Sequence, residues 1–194
     1  IQYLKEHEIT HHDIKLDNVI YEALTGSVKI IDFGVSEHCP RDESYSAFGT
    51  PAYQAPELFT KPSPCDEKYF VSGHKLDVWA VGVVAYQLAN EEGALPFDGD
   101  SLMEIFDTII HRDPNWHLLK QNSNNTDLKD LISSKCNRII RHLLMLLELL
   151  NKNPNERLSA KEALYHAYFK SSSTDNNQPS IKNIIKSIFN RLVK

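Results

Sequence analysis

Between Lys75 and Asn90 the chain runs through Trp79, Val81, Val83, Val84, Tyr86 and Leu88 with little polar interruption. A helix that is apolar around its circumference belongs inside a protein, so this stretch predicts a helix buried on most faces. Asp77 is the exception, and on its own a carboxylate near the start of such a helix reads as a cap. The 194 residues suffice for one domain with a sizeable core, and a second full domain would be cramped.

The chemistry concentrates between His11 and Gly34. This stretch reads His-His-Asp-Ile-Lys-Leu-Asp-Asn, then a short hairpin, then Asp-Phe-Gly. Val19-Ile20-Tyr21 and Val28-Lys29-Ile30-Ile31 are β-rich runs flanking Leu24-Thr25-Gly26-Ser27, a turn signal in which Gly supplies positive φ. Such a hairpin folds Asp32 back beside Asn18. Asp13 would then accept a proton from an attacking hydroxyl, while Asn18 and Asp32 are hard oxygen donors of the type that holds Mg²⁺ against nucleotide phosphates. The combination points to phosphoryl transfer.

Ile1 to Glu8 has the look of the last turns of a helix, leading through Ile9-Thr10 into that loop. His7, His11 and His12 invite a metal site, but no cysteine or carboxylate completes one in the sequence. Val35 to Gln54 is polar and irregular, as expected of a mobile loop that gates a site, and Ser44, Tyr45 and Ser46 are candidate modification positions. Leu58 to Gly73, broken by Pro62 and Pro64, reads as a loop insertion. Ser101-Leu102-Met103-Glu104 is a capping box opening a helix through Ile110, and Asp113 to Asp127, rich in Asn, Gln and Ser, reads as an exposed loop. Helical periodicity returns from Leu128 and is densest from Arg138 to Leu150; Pro154 follows, and Ser159 to Glu162 is a second capping box, for a helix bearing Leu164 and Tyr168. These elements make one unit over 1–170. Ser171 to Ser180 is Ser/Asn/Gln-rich and reads as a flexible linker. Over 181–194, Ile181, Ile184, Ile185, Ile188, Phe189 and Leu192 form one helical stripe, with Lys182, Lys186, Arg191 and Lys194 off it. Such a basic amphipathic helix docks on its own lobe or on a partner; weak contact with an anionic membrane surface is the other use.

The formal net charge of −5 argues against nucleic acid as a partner. The apolar run Leu143 to Leu150 is short and carries Glu148, so no transmembrane segment is expected. Three cysteines, Cys39, Cys65 and Cys136, without a C-x-x-C pair, fit a reducing compartment, hence a cytoplasmic or nuclear setting.

At His11 to Asn18 and Asp32-Phe33-Gly34 the chain resembles the eukaryotic protein kinases, whose catalytic loop H-R-D-x-x-x-x-N and D-F-G carry these jobs. Gly49-Thr50-Pro51, Ala55-Pro56-Glu57, Asp77-Val78-Trp79-Ala80-Val81-Gly82 and Arg157 continue the resemblance in the family's order over roughly residues 1–170. It implies an α+β kinase-like fold, here the mainly α C-terminal lobe with a short β-hairpin. The smaller N-terminal lobe is absent, since none of the seven glycines forms G-x-G-x-x-G and no V-A-I-K stretch precedes Asp13. On this view the chain is a fragment, inactive alone and with little affinity for ATP.

The resemblance also implies roles. Asp13 is the base and Lys15 the phosphate contact; Lys15, Asn18 and Asp32 face ATP, with Asn18 and Asp32 on Mg²⁺. Thr50 hydrogen-bonds toward Asp13 and Lys15, His11 braces the loop, Asp77 accepts backbone N–H bonds from the loop, and Glu57 pairs with Arg157. Lys15 and Thr50 favour serine or threonine in a protein substrate. The rival is a non-catalytic pseudokinase or docking module. Val35-Ser36-Glu37, Pro51-Ala52-Tyr53-Gln54, Ser72 to Asp77 and Pro96 to Asp100 resemble the liver kinase B type, and in part calmodulin-kinase kinases. The former are activated by a pseudokinase partner with a scaffold protein. Most kinases carry, where His12 stands, an arginine that pairs with a phosphate on the activation segment. An imidazole lacks the guanidinium fork, so loop phosphorylation is not expected to be the main switch.

Overall fold

The computed structural model describes residues 1–44, 48–60, 71–90, 92–120, 134–170 and 181–190. The expected linker over 171–180, Tyr45 and Ser46, Cys65, most of the proline-broken insertion, the later part of the Asp113–Asp127 stretch and the tail beyond 190 lie outside these residues.

In chain order the elements are α1 (Gln2–Glu6), β1 (Ile9–Thr10), the hairpin β2 (Val19–Glu22) and β3 (Ser27–Ile30), β4 (Glu37–His38), β5 (Glu43–Ser44), β6 (Val71–Ser72), α2 (Gly73–Ala89), α3 (Leu102–His111), α4 (His117–Lys120), α5 (Ser134–Leu149), α6 (Ala160–Tyr165), α7 (Ala167–Lys170) and α8 (Ile181–Asn190). The strands pair antiparallel as β1 with β4, β2 with β3 and β5 with β6. The result is the mainly helical lobe with a short hairpin that the sequence leads one to expect.

Helix α2 is the axis. From Gly73 to Tyr86 every residue but Lys75 is buried. Two apolar clusters explain why it has no polar face. Val78, Val81, Val84 and Ala85 share one cluster with Leu4, Ile14, Val28, Met145, Leu146, Leu149 and Ile185. Leu76, Trp79 and Val83 share another with Leu58, Phe97, Ile109 and Leu150. Trp79 stacks on Phe97 with ring centroids 5.6 Å apart. The start of α2 lies so close to β1 that a Cβ on Gly73 would stand 2.1 Å from the Thr10 hydroxyl oxygen, so only glycine fits there.

Three expectations need correction. Residues 160–170 do not form one helix: His166 adopts ψ 146°, which ends α6 and starts α7, so Leu164 and Tyr168 sit on different helices. The stretch after Asp113 begins as an anchored segment rather than an exposed loop, because Pro114 is buried, Trp116 packs against both clusters and α4 follows. Its polar composition comes largely from residues beyond 120. The loop after Gly34 is likewise less free than its composition suggests: β4 and β5 pin it, and Ser44 is fully buried. Helix α8 docks on its own lobe, with Ile185, Ile188 and Phe189 buried against the α2 cluster. That face is therefore not offered to a membrane. No helix among the described residues is long and apolar enough to cross one.

Candidate active site

The loop between β1 and β2 is held from below by Asp77. Its two carboxylate oxygens accept the backbone N–H groups of His11 at 2.8 Å and His12 at 3.0 Å. Burial pushes the Asp77 carboxyl up, while these two N–H bonds pull it down. Asp77 is thus an acceptor for the loop and not simply a helix cap. The bonds also hold His12 at φ 68°, a left-handed conformation that a side chain disfavours and that surrounding contacts must enforce.

His11 is the brace expected of it. Its Nδ1 accepts the Asp13 N–H at 3.3 Å, so Nε2 carries the proton and donates to the Ile31 carbonyl at 3.1 Å. Its ring meets Phe33 edge-on. One residue thereby ties the loop to the strand leading into Asp32. His7 takes no part, since its Nδ1 lies against the carbonyl of Tyr3. His12, Glu37 and Cys39 do bring possible ligand atoms within 4.8 Å of one another. They do not suit an ion as they stand: His12 Nε2 is 3.1 Å from Glu37 Oε2, and Cys39 is a buried thiol, pushed up by desolvation, that takes a bond from Thr10.

Four donors converge on the Asp13 carboxylate. Oδ1 accepts the Thr50 hydroxyl at 2.7 Å and the Thr50 N–H at 3.0 Å; Oδ2 lies 2.8 Å from Lys15 Nζ and accepts the Asn18 amide at 3.0 Å. Lys15 also donates to Thr50 Oγ1 at 2.9 Å, closing a ring of contacts. Burial works to raise the Asp13 pKa, but the bonds from Lys15 and Thr50 outweigh it and hold the carboxyl below its ordinary value. The bond to Asp13, followed by smaller attractions to Asp17 and Asp32, raises Lys15. Thr50 reaches its place because Gly49 precedes it at φ 104°; a Cβ there would meet the His12 carbonyl oxygen at 2.1 Å.

The hairpin does what its spacing predicts. Val19 pairs with Ile30, and the Ile31 N–H donates to the Asn18 carbonyl at 2.9 Å, which sets Asp32 beside Asn18. The Asn18 amide nitrogen is committed to Asp13, which leaves its side-chain oxygen as a ligand atom. Asp32 is exposed, at φ 63°, with Oδ1 accepting the Gly34 N–H at 3.2 Å. Two oxygen donors on one rim, with Lys15 near, fit Mg²⁺, which keeps several waters and takes few protein ligands.

Glu57 and Arg157 form an ion pair with the guanidinium buried. Arg157 Nη1 and Nη2 donate to the two oxygens of Glu57 at 2.7 and 2.8 Å, Nη1 also to the Lys75 carbonyl and Nε to the Asn151 carbonyl, each at 2.9 Å. The guanidinium is fully buried and lies 4.9 Å from the Trp79 ring. A buried charge so completely partnered is tolerable in an apolar core.

Two side-chain clusters have no counterpart in the motif reading. Asp42, at φ 57°, accepts the His74 N–H at 2.8 Å and the Ser72 hydroxyl at 2.6 Å, and also contacts His74 Nδ1; His74 Nε2 faces Lys5. Burial would raise Asp42, yet the bonds from His74 and Ser72 hold it low. The second cluster joins His12, Glu37 and Ser44. Residue spacing announces neither, because His12 lies 25 and 32 positions from Glu37 and Ser44, and Asp42 lies 32 from His74.

A protein kinase domain model matches residues 1–169. Serine/threonine-protein kinase ppk34 of Schizosaccharomyces pombe is 31% identical over 165 residues, covering 84% of this chain and 39% of that protein. Serine/threonine-protein kinase GRIK1 of Arabidopsis thaliana is 34% identical over 170 residues, covering 87% and 36%. Calcium/calmodulin-dependent protein kinase type I of Schizosaccharomyces pombe is 30% identical over 195 residues, covering 94% and 49%. The chain spans less than half the length of these relatives. With a match that runs through the catalytic loop, the hairpin bearing Asp32 and the Glu57–Arg157 pair, this chain belongs to the protein kinase family.

Proposed function

We propose that the chain is the substrate-side lobe of a serine/threonine protein kinase, which transfers the γ-phosphoryl group of Mg-ATP to hydroxyls of protein substrates. The observation that carries this is the Asp13 carboxylate, held by Lys15, Asn18 and Thr50 at 2.7 to 3.0 Å. When bound, Mg-ATP supplies the phosphoryl group and neutralises charge on it; Asn18 and Asp32 are the residues that would hold the metal. Asp13, kept ionised at neutral pH, orients the acceptor hydroxyl and takes its proton as the new P–O bond forms and the bond between the γ-phosphorus and the departing ADP oxygen breaks. Lys15 places a cation beside it, and Thr50 links the two. Little covalent chemistry is asked of the protein, so positioning and electrostatics do most of the catalysis.

Preference for serine or threonine is supported by Lys15 and Thr50 and by the kind of kinase the relatives are named as. The liver kinase B type rests on the four sequence stretches alone, and activators of the pseudokinase and scaffold kind go with that subtype. A cytoplasmic setting, with the nucleus as a second location, belongs to the same proposal. The test is transfer of labelled phosphate from Mg-ATP by the full-length protein to peptides offering serine, threonine or tyrosine. Transfer to the first two and not to tyrosine is expected; no transfer to any would favour the docking-module reading.

A further inference from the structure

Ser44 Oγ donates to Glu37 Oε2 at 2.9 Å, and His12 Nε2 lies 3.1 Å from the same oxygen and 3.4 Å from Ser44 Oγ. Ser44 is fully buried, and the His12 side chain is 1% exposed. The three residues come from three places: the catalytic loop one residue before Asp13, the strand β4 just after Asp32-Phe33-Gly34, and β5 in the activation segment. Neighbouring contacts hold each in register. Thr10 faces Glu37 across β1 and β4; Ser44 faces Val71 across β5 and β6; and the His12 N–H is fixed on Asp77. Glu37 therefore stands as one anion receiving a donor from the loop and a donor from the segment.

We propose that Glu37 is a positioning residue that clamps the activation segment onto the catalytic loop without phosphorylation, and that negative charge at position 44 opens the clamp. This rests on the kinase reading above and adds how its segment is held. In an arginine-bearing kinase the loop is the cation and the segment brings the anion. Here the anion is built into β4, and the segment contributes a hydroxyl. A phosphate or carboxylate at position 44, which is fully buried, would stand against the carboxylate of Glu37, whose side chain is 29% exposed, and like-charge repulsion would replace the hydrogen bond that Ser44 now donates. The outcome is the opposite of activation: the segment leaves, and Asp13 loses the alignment that His12 and Thr50 give it.

The experiment uses the full-length enzyme with Ser44→Ala, Ser44→Asp, Glu37→Gln and the double variant Glu37→Gln/Ser44→Asp, assayed on a peptide substrate. Ser44→Asp is expected to lower kcat/KM on the order of tenfold to a hundredfold, the scale of a small misplacement of catalytic groups. Ser44→Ala is the milder change. The double variant should recover most of the loss, because the carboxylate then sits at position 44 and faces an amide and His12. A merely structural defect caused by Ser44→Asp would not be relieved from position 37. Activity of Ser44→Asp at or above wild type overturns the proposal, as does a double variant no better than Ser44→Asp. Should the wild-type enzyme transfer no phosphate, the kinase reading fails by itself. Amide hydrogen exchange over residues 37–44 of the 194-residue chain then decides the clamp: protection lost in Ser44→Asp and regained in the double variant supports it, and unchanged protection ends it.

Discussion

The two sides of the catalytic loop are built differently. On the Asp13 side, Asp13, Thr50, Asp77, Glu57 and Arg157 are tied to one another and to backbone groups by short bonds, with Asp77 and Arg157 buried in the helical core. On the Asp32 side, Asp32, Phe33 and Gly34 are exposed, and Asp32 accepts a local bond from the Gly34 N–H. Under the proposed function, geometry for an acceptor hydroxyl would be fixed by the lobe in advance, whereas the rim at Asp32 would keep ligand atoms open. Catalysis by positioning needs the first side stiff; binding and releasing a nucleotide needs the second accessible.

Replacing one carboxylate on each side gives the strongest test of this contrast. In the full-length enzyme, Asp13→Asn should lower kcat by about 10²- to 10⁴-fold, the usual weight of a positioned proton acceptor, and leave nucleotide affinity near wild type. Asp32→Asn should weaken Mg-ATP binding as well. Titration of both variants with a nucleotide analogue separates them; equal weakening in the two would erase the division. In stability the order reverses. Arg157→Ala strands Glu57 and should cost about 3 to 5 kcal/mol in denaturant unfolding of the 194-residue chain, while Asp32→Asn should stay within about 0.5 kcal/mol.

Two glycines sharpen the comparison on a smaller scale. Gly26, at φ 65° in the hairpin turn, has nothing within 4 Å of an added Cβ, so Gly26→Ala costs the left-handed backbone alone, about 1 to 2 kcal/mol. Gly49→Ala adds a collision with the His12 carbonyl and should cost more, and it should raise the peptide KM because Thr50 moves. Thermal melts that rank the two variants the other way would contradict the packing described. The smallest effect is with acid. Asp13 and Asp42 have folded pKa values below their ordinary 3.8, so the stability they add is present at neutral pH and drains away as pH falls through those lowered values. Asp13→Asn and Asp42→Asn chains should therefore lose less stability than the parent between about pH 5 and about pH 2.

The catalytic loop and the position of Asp32 were legible in the sequence. Asp13, Lys15 and Asn18 fall within six residues, and the turn at Gly26 places Asp32 by strand register, so local spacing suffices. Helix α2 was legible for a different reason: a segment apolar on all sides has one place to go. Asp77, Thr50 and the Glu57–Arg157 pair had meaning only through the family's pattern, because their partners lie 37 to 100 positions away. Glu37 with Ser44, and Asp42 with His74, were invisible: a polar residue in a polar stretch carries no mark of burial until strands β4, β5 and β6 fold it inward. The break at His166 was hidden too, since a capping box shows where a helix starts and not where it stops.

Helix α8 bears on where the folding unit ends. The family match stops at residue 169, and cutting there would remove Ile185, Ile188 and Phe189 from the apolar cluster they share with Val28, Val81 and Ala85. Losing even one such isoleucine side chain costs about 2 to 5 kcal/mol, and losing all of them bares a contiguous apolar groove that invites aggregation. A chain ending at residue 170 should accordingly be hard to keep in solution, and a separate peptide of residues 181–194 should rescue it by non-covalent complementation.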